Sequence, residues 1–279
     1  MYQELAQRIF HNHGYGSSAE QAGRGNIHFI YKSEGGGAVV KIRGAHTSGP
    51  QKAPIRPADI AREIDHIRMV TDILADTDIK LPTILDFEIE ESTPSWFMMS
   101  GLEPDYQFLV DQQSNLNWYN QTENLRALGK RIGILHSQMQ AKLPPDSCSL
   151  KRMGVDFFPP YFRHKTGDRA LALFDHITST PRHFVHGDLS WGNIATNSQH
   201  GVFLIDWEYA HFGYPIFDVA VLVSGIDFYL GHNGETVSPL MNALLEGYAN
   251  NVPYPAEQYN PLIRDLALAI SGHSKASNR

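Results

Sequence analysis

Apolar positions recur along this chain with two different periods, and the change of period divides it. Residues 2–10 form an opening amphipathic segment, followed by a Gly- and Ser-rich stretch over residues 14–25. Two β-like runs come next, residues 27–31 and 38–42, joined by Ser33-Glu34-Gly35-Gly36-Gly37. That connector has hairpin chemistry, because glycine accepts positive φ without strain. Residues 44–57, rich in Gly, Pro and Ser, read as a mobile loop. Residues 58–74 are helical in pattern, with Ile60, Ile64, Ile67, Met69 and Val70 on one side. Strands are expected at 84–89 and 96–99, around a turn at Thr93-Pro94. After Gly101 the helical period takes over, in residues 116–140 with Leu125, Leu128, Ile132 and Leu135 in register. A Pro-punctuated region, 143–160, and a helix over 171–177 precede two short strands, 183–185 and 202–205. Helices are then expected at 217–224, 239–248 and 261–270. The pattern predicts an α+β protein with a β-rich lobe over residues 1–101 and a mainly helical lobe over 102–279.

Composition narrows the class only modestly. A hydrophobic content of 42% with 19% charged residues is ordinary for a soluble globular protein. No apolar run approaches the roughly 20 residues of a membrane span, and the first ten residues are no secretory signal. Cys148 is the single cysteine, which rules out an internal disulfide and fits a reducing cytoplasm. The formal net charge of −7 argues against a nucleic-acid partner. Its distribution says more. Asp188, Asp206, Glu208, Asp218, Asp227, Glu235, Glu246, Glu257 and Asp265 lie between His183 and Ile270, where Arg264 is the one Lys or Arg. Such an imbalance creates a negative field that attracts a cation.

Within that acidic half stands H-G-D-L-S-W-G-N, His186 to Asn193, followed by L-I-D-W-E ending at Glu208. Phosphoryl transfer from a nucleotide needs a carboxylate to orient the acceptor hydroxyl and take its proton. It also needs oxygen ligands for Mg²⁺ on the phosphates. Asp188 is the candidate base, with Asn193 and Asp206 the candidate metal ligands. The same interval from Asp to Asn occurs in the protein-kinase signature H-R-D-L-x-x-x-N. Each residue singly reads as a turn or cap; jointly, with a strand before each Asp, they read as a kinase. His186 and His136 are read as structural rather than as general bases, and Asp218 as a tether for the loop or a helix cap.

Lys41 lies in the strand A-V-V-K-I, as a lysine pairing with nucleotide phosphates does in kinases, and Glu63 on the next helix is its expected partner. Arg43 faces the same way as Lys41, so strand parity alone does not separate them. Gly23-Arg24-Gly25-Asn26 could fold over a nucleotide, although His28 stands where a G-x-G-x-x-G pattern has its third glycine.

H-G-D-L-S-W-G-N, V-F-L-I-D-W-E-Y-A and P-I-F-D-V-A together resemble the aminoglycoside phosphotransferase and choline kinase superfamily. The long helix ending L-G-K-R-I-G-I-L-H-S, with Leu135-His136, is similar to the helix before that family's catalytic segment. The resemblance implies a bilobal protein-kinase-like fold. It implies ATP or GTP as donor with Mg²⁺, Lys41, Glu63, Gly23, Gly25 and Asn26 serving the nucleotide. A hinge over residues 98–102 would place Met98 and Ser100 beside it. Gly187 stands where many protein kinases carry an arginine, and the interval from Glu208 to Phe217 is too short for an activation loop and peptide platform. The acceptor is therefore expected to be a small molecule. An aminoglycoside would pair with acids such as Glu208 and Asp227. A choline-like cation would use aromatic faces such as Trp207 and Tyr229. A metabolic acceptor remains the alternative substrate class, and a nucleotide-binding scaffold without turnover the alternative of a different kind.

Overall fold

The computed structural model describes residues 1–24, 28–43, 58–89, 94–111, 121–143, 162–163, 165–230 and 234–277. Gly25, Asn26, Cys148, the 44–57 loop and most of the Pro-punctuated region lie outside the described residues. The chain divides into two compact units, Met1–Asp72 with Leu81–Pro104, and Ile73–Lys80 with Asp105–Arg279.

The first unit opens with helix α1 (Tyr2–Asn12) and strands β1 (Ala19–Arg24), β2 (His28–Ser33) and β3 (Ala38–Arg43). Helix α2 (Ala58–Leu74) follows and, after short strand β4 (Ile79–Lys80) of the second unit, β5 (Ile84–Glu88) and β6 (Trp96–Ser100). Five of these strands form one sheet in the order β1-β2-β3-β6-β5, antiparallel throughout. The β2–β3 turn is a 3-10 turn over Glu34–Gly36 with Gly35 and Gly36 at positive φ, as the glycine run predicts. Tyr31, Val40, Ile42, Trp96 and Met98 form one face of this sheet and bury Ala6, Ile9 and Phe10 of α1. Strand alternation sends Lys41, between Val40 and Ile42, to the opposite face. The sheet exit is tight: Gly101 donates its N–H to Gly37, and a Cβ there would meet the Gly36 carbonyl oxygen at 1.8 Å.

The second unit contains β4 and adds β7 (Gln107–Phe108), helix α3 (Thr122–Lys142) and short helix α4 (Phe174–Thr178). Strands β8 (His183–Val185), β9 (Ile194–Thr196), β10 (Val202–Leu204) and β11 (His211–Gly213) come next. Helices α5 (Pro215–Leu230), α6 (Gly234–Ala249) and α7 (Asn260–Ser277) complete it. The order β4-β10-β9-β7 makes a small sheet, and β8 pairs with β11 beside it. In α5, Ile216, Phe217, Val219, Ala220, Val221, Leu222, Val223 and Ile226 are all buried, so this largely apolar helix is central to its unit. Helices α3 and α6 touch backbone to backbone. A Cβ on Gly129 would lie 2.0 Å from the Leu244 oxygen, and one on Gly247 2.0 Å from the Arg126 oxygen. No helix among the described residues is long and apolar enough to cross a membrane.

Candidate active site

In the first unit, Lys41 of β3 and Glu63 of α2 meet as the kinase reading expects. Lys41 Nζ donates to Glu63 Oε1 at 3.0 Å and to Oε2 at 2.9 Å, with both residues buried. Gly23 sits in β1 opposite Ile30, just past a register shift. Met98 lies within β6. Its side chain is buried under α1, on the face opposite Lys41, and its backbone pairs with Val40 and Asp86 within the sheet. Ser100 ends β6, exchanging bonds with Thr83: its N–H donates to the Thr83 carbonyl and its Oγ accepts from the Thr83 N–H.

In the second unit, the segment from β8 to β11 holds the acidic motif, and several hydrogen bonds fix its loop. Asp218, in the first turn of α5, reaches back to accept the N–H of His186 at 2.9 Å and of Gly187 at 3.0 Å. His186 accepts the Asp188 N–H on Nδ1 at 3.2 Å, which leaves Nε2 to donate to the Ile205 carbonyl at 2.9 Å. The ring is thus a neutral brace between the two halves of the motif, and burial lowers its pKa from the ordinary value. Asn193 donates from Nδ2 to the Asp188 carbonyl at 3.0 Å, so its amide oxygen is turned away from that bond. Ile205 N–H donates to the Asn193 carbonyl at 3.1 Å, so Asp206 follows directly on a bond to Asn193. Asp206 adopts φ 66 and ψ 63, a left-handed conformation costly for any residue with a Cβ. Strain of this kind persists where the surroundings over-determine it, commonly at functional sites.

Gly187 has a local reason to be glycine. Its φ is +85, and a Cβ would lie 2.1 Å from the Tyr209 carbonyl oxygen. No arginine fits here. Gly187→Ala is expected to cost roughly 1–3 kcal/mol from backbone strain alone and to displace Asp188. Urea unfolding together with turnover checks this, and wild-type values for both would overturn it.

Of the expected substrate contacts, Trp207 and Asp227 are buried. Trp207 is fully buried, tilted against His186 with ring centroids 4.4 Å apart, so it floors the loop rather than facing an acceptor. Asp227 is buried and accepts the Ser271 hydroxyl, joining α5 to α7. Glu208 is half-buried in the 3-10 turn after Asp206. Tyr229 is half-buried and stacks on Trp191 at 5.0 Å, while the Trp191 indole N–H donates to the Leu222 carbonyl.

Sequence reasoning missed two partners. Lys165 places Nζ 2.8 Å from Oδ1 of Asp188, across 23 positions of chain that carry no motif. Tyr248 meets His136 Nδ1 at 3.0 Å, and His136 Nε2 lies 3.4 Å from Asp218 Oδ2. The tether Asp218 is therefore backed by a buried polar chain, with Tyr254 beyond Tyr248. Burial pushes Asp218 up to about 6 and His136 and His183 down to about 3.

These shifts set an acid dependence. The two histidines contribute stability that is fully present above their unfolded value near 6.5 and is lost as pH falls toward 3. Asp218 acts oppositely, contributing stability below about 3.9 that is lost as pH rises through about 6. Between those limits the unfolded chain binds more protons, two histidines outweighing one carboxylate, so stability falls on acidification. The urea midpoint is expected to be lower at pH 5 than at pH 7, with a smaller difference in His136→Gln. An unchanged difference in that variant would contradict the assignment.

Comparison with known proteins supports the same architecture. A model of the phosphotransferase enzyme family matches residues 20–251. No curated protein matched the sequence. Among solved structures, the amicoumacin kinase hAmiN, in complex with AMP-PNP, Ca²⁺ and Ami, aligns with a TM-score of 0.61 at 14% identity. That alignment covers 96% of this chain and 86% of that one. The aminoglycoside phosphotransferase APH(3'')-Id from Streptomyces rimosus gives 0.59 at 16% identity, over 94% and 97% of the two chains. A choline/ethanolamine kinase family protein from Mesorhizobium loti gives 0.56 at 14% identity, over 100% and 87%. At such identities the structural likeness is one of fold, whereas the family match spans most of the sequence. The chain belongs to the phosphotransferase enzyme family, the small-molecule kinases with a protein-kinase-like fold.

Proposed function

We propose that this protein transfers the γ-phosphoryl group of ATP or GTP to a hydroxyl of a small cationic molecule, with Asp188 as the base. The observation that carries the reading is the single bonded assembly of Asp188, Asn193 and the residue before Asp206, held from behind by Asp218. Asn193 and Asp206 offer an amide oxygen and a carboxylate, a donor set that suits Mg²⁺, and these two residues would hold it. When bound, the ion neutralises phosphate charge. Lys41, positioned by Glu63, takes the nucleotide phosphates, and Gly23, Gly25, Asn26 and Ser100 are the further nucleotide contacts of this reading.

A cationic acceptor is favoured by the excess of acids between His183 and Ile270. Aminoglycoside-type antibiotics come first, because structures of comparable fold are described with amicoumacin, streptomycin or kanamycin. Choline, ethanolamine and aminopropanol form the second group, on the strength of other structures of that fold. Glu208 and Tyr229, both partly exposed, are the acceptor contacts retained. The test is nucleotide consumption with Mg²⁺ over a panel of aminoglycosides, choline, ethanolamine, aminopropanol and amino sugars. One responding class establishes the activity. Bound nucleotide with no turnover on any acceptor would favour a scaffold.

A further inference from the structure

Lys165 stands in a helical turn leading into the 3-10 stretch Gly167–Leu173, well outside the motif segment. Its ammonium nonetheless lies 2.8 Å from Oδ1 of Asp188, with the two side chains 22% and 13% exposed. Exposed pairs of this kind contribute little to stability, and one this sheltered holds a long flexible side chain at an entropic cost. The turn that carries it is firmly seated. Phe162 is fully buried, with its ring 5.3 Å from Phe174 and 5.4 Å from Phe217, and the buried Thr166 hydroxyl donates to the Phe162 carbonyl. Phe217 immediately precedes Asp218, so one anchorage serves both Lys165 and the tether of the loop that bears Asp188.

Charge explains why a cation there matters. From His183 up to Arg264 the chain supplies no Lys or Arg, so the segment bearing Asp188, Asn193 and Asp206 brings only negative side chains. In phosphoryl transfer the charge spreads over three equatorial oxygens of the moving group, and a carboxylate beside the acceptor repels it. A fixed ammonium at hydrogen-bond distance from that carboxylate meets charge where it develops, with no reorganisation at the moment of reaction.

We propose that Lys165 is a further catalytic residue, paired with Asp188 before the acceptor arrives and donating to the phosphoryl oxygens during transfer. This rests on the reading of Asp188 as base. The acceptor oxygen forms its bond to Pγ as the bond from Pγ to the β–γ bridging oxygen breaks. The nucleoside diphosphate leaves with that electron pair, and the acceptor hydroxyl proton passes to the Asp188 carboxylate and then to water. Lys165 stays protonated throughout and exchanges only its hydrogen-bond partner.

The test compares the full chain with Lys165→Met, Lys165→Arg and Asp188→Asn. Readouts are steady-state kinetics on the responding acceptor and binding of nucleoside diphosphate with Mg²⁺, with and without fluoroaluminate as a mimic of the moving phosphoryl group. Lys165→Met is expected to lower kcat by roughly 10²–10³-fold, the usual loss for one donor to developing charge. Nucleoside-diphosphate affinity and acceptor KM should hold within about threefold, while fluoroaluminate binding weakens in step with kcat. Lys165→Arg should recover part of both. Lowered kcat in Lys165→Met with fluoroaluminate binding intact would make Lys165 a brace and overturn the proposal, as would a wild-type rate alongside an inactive Asp188→Asn. An Asp188→Asn variant as active as wild type would instead sink the reading of Asp188 itself.

Discussion

Asp188→Asn is expected to lower kcat by roughly 10²–10⁴-fold, the range for loss of one general base, while nucleotide affinity is unchanged. Asparagine keeps the shape of aspartate, and the contacts that hold the loop run through backbone atoms. His186 Nδ1 takes the Asp188 N–H and Asn193 takes its carbonyl. The substitution therefore removes the proton acceptor and leaves the frame standing. Calorimetric nucleotide titration beside turnover separates the two effects. Turnover near the wild-type rate would remove Asp188 from the chemistry. A loss of nucleotide binding as large as the loss of rate would mean that the loop, rather than the carboxylate, had failed.

Breaking the Lys41–Glu63 pair should produce the largest stability change in the first unit. Both groups are removed from water, the lysine side chain at 4% and the glutamate at 2% exposure, and both carboxylate oxygens accept from Nζ. Glu63→Ala removes both carboxylate oxygens from a buried ammonium, and the expected cost is about 3–5 kcal/mol in urea unfolding. The double variant Lys41→Met, Glu63→Leu replaces both charges with apolar side chains and should fold with close to wild-type stability. If Lys41 takes the phosphates as proposed, the double variant should also have lost nucleotide binding. A double variant that binds nucleotide normally would reduce the pair to a structural role.

Elements with strong patterns were legible from sequence to within a residue or two. Helix Ala58–Leu74 follows its isoleucine spacing, and strand His183–Val185 lies where the motif places it. The Lys41–Glu63 contact was legible for a related reason, since a lysine in this strand pairs with a glutamate on the following helix in the kinase pattern. What stayed hidden depends on the folded chain. Strand β1, A-E-Q-A-G-R, has little strand character of its own and exists through pairing with β2. Helix α5 was expected to stop before Gly225, yet that glycine continues the helix and makes room for the Trp191 indole. Pro239 looked like a helix start and instead lies inside α6, which begins at Gly234. Trp207 and Tyr229 are both aromatic residues beside acids, and only burial distinguishes a floor from an exposed face. Lys165 is the extreme case, an ion pair joining two segments that share no local signal.

The backbone contact between α3 and α6 has a genetic consequence. Every missense change in a glycine codon adds a Cβ, and at Gly129, Gly133 or Gly247 that atom would press on a carbonyl oxygen of the facing segment. These helices also carry His136 and Tyr248, which stand behind Asp218. A random mutational screen for lost phosphorylation should therefore collect hits at these three codons, far from Asp188 in sequence. If Glu208 and Tyr229 contact the acceptor as proposed, changes at these partly exposed positions should alter acceptor preference instead.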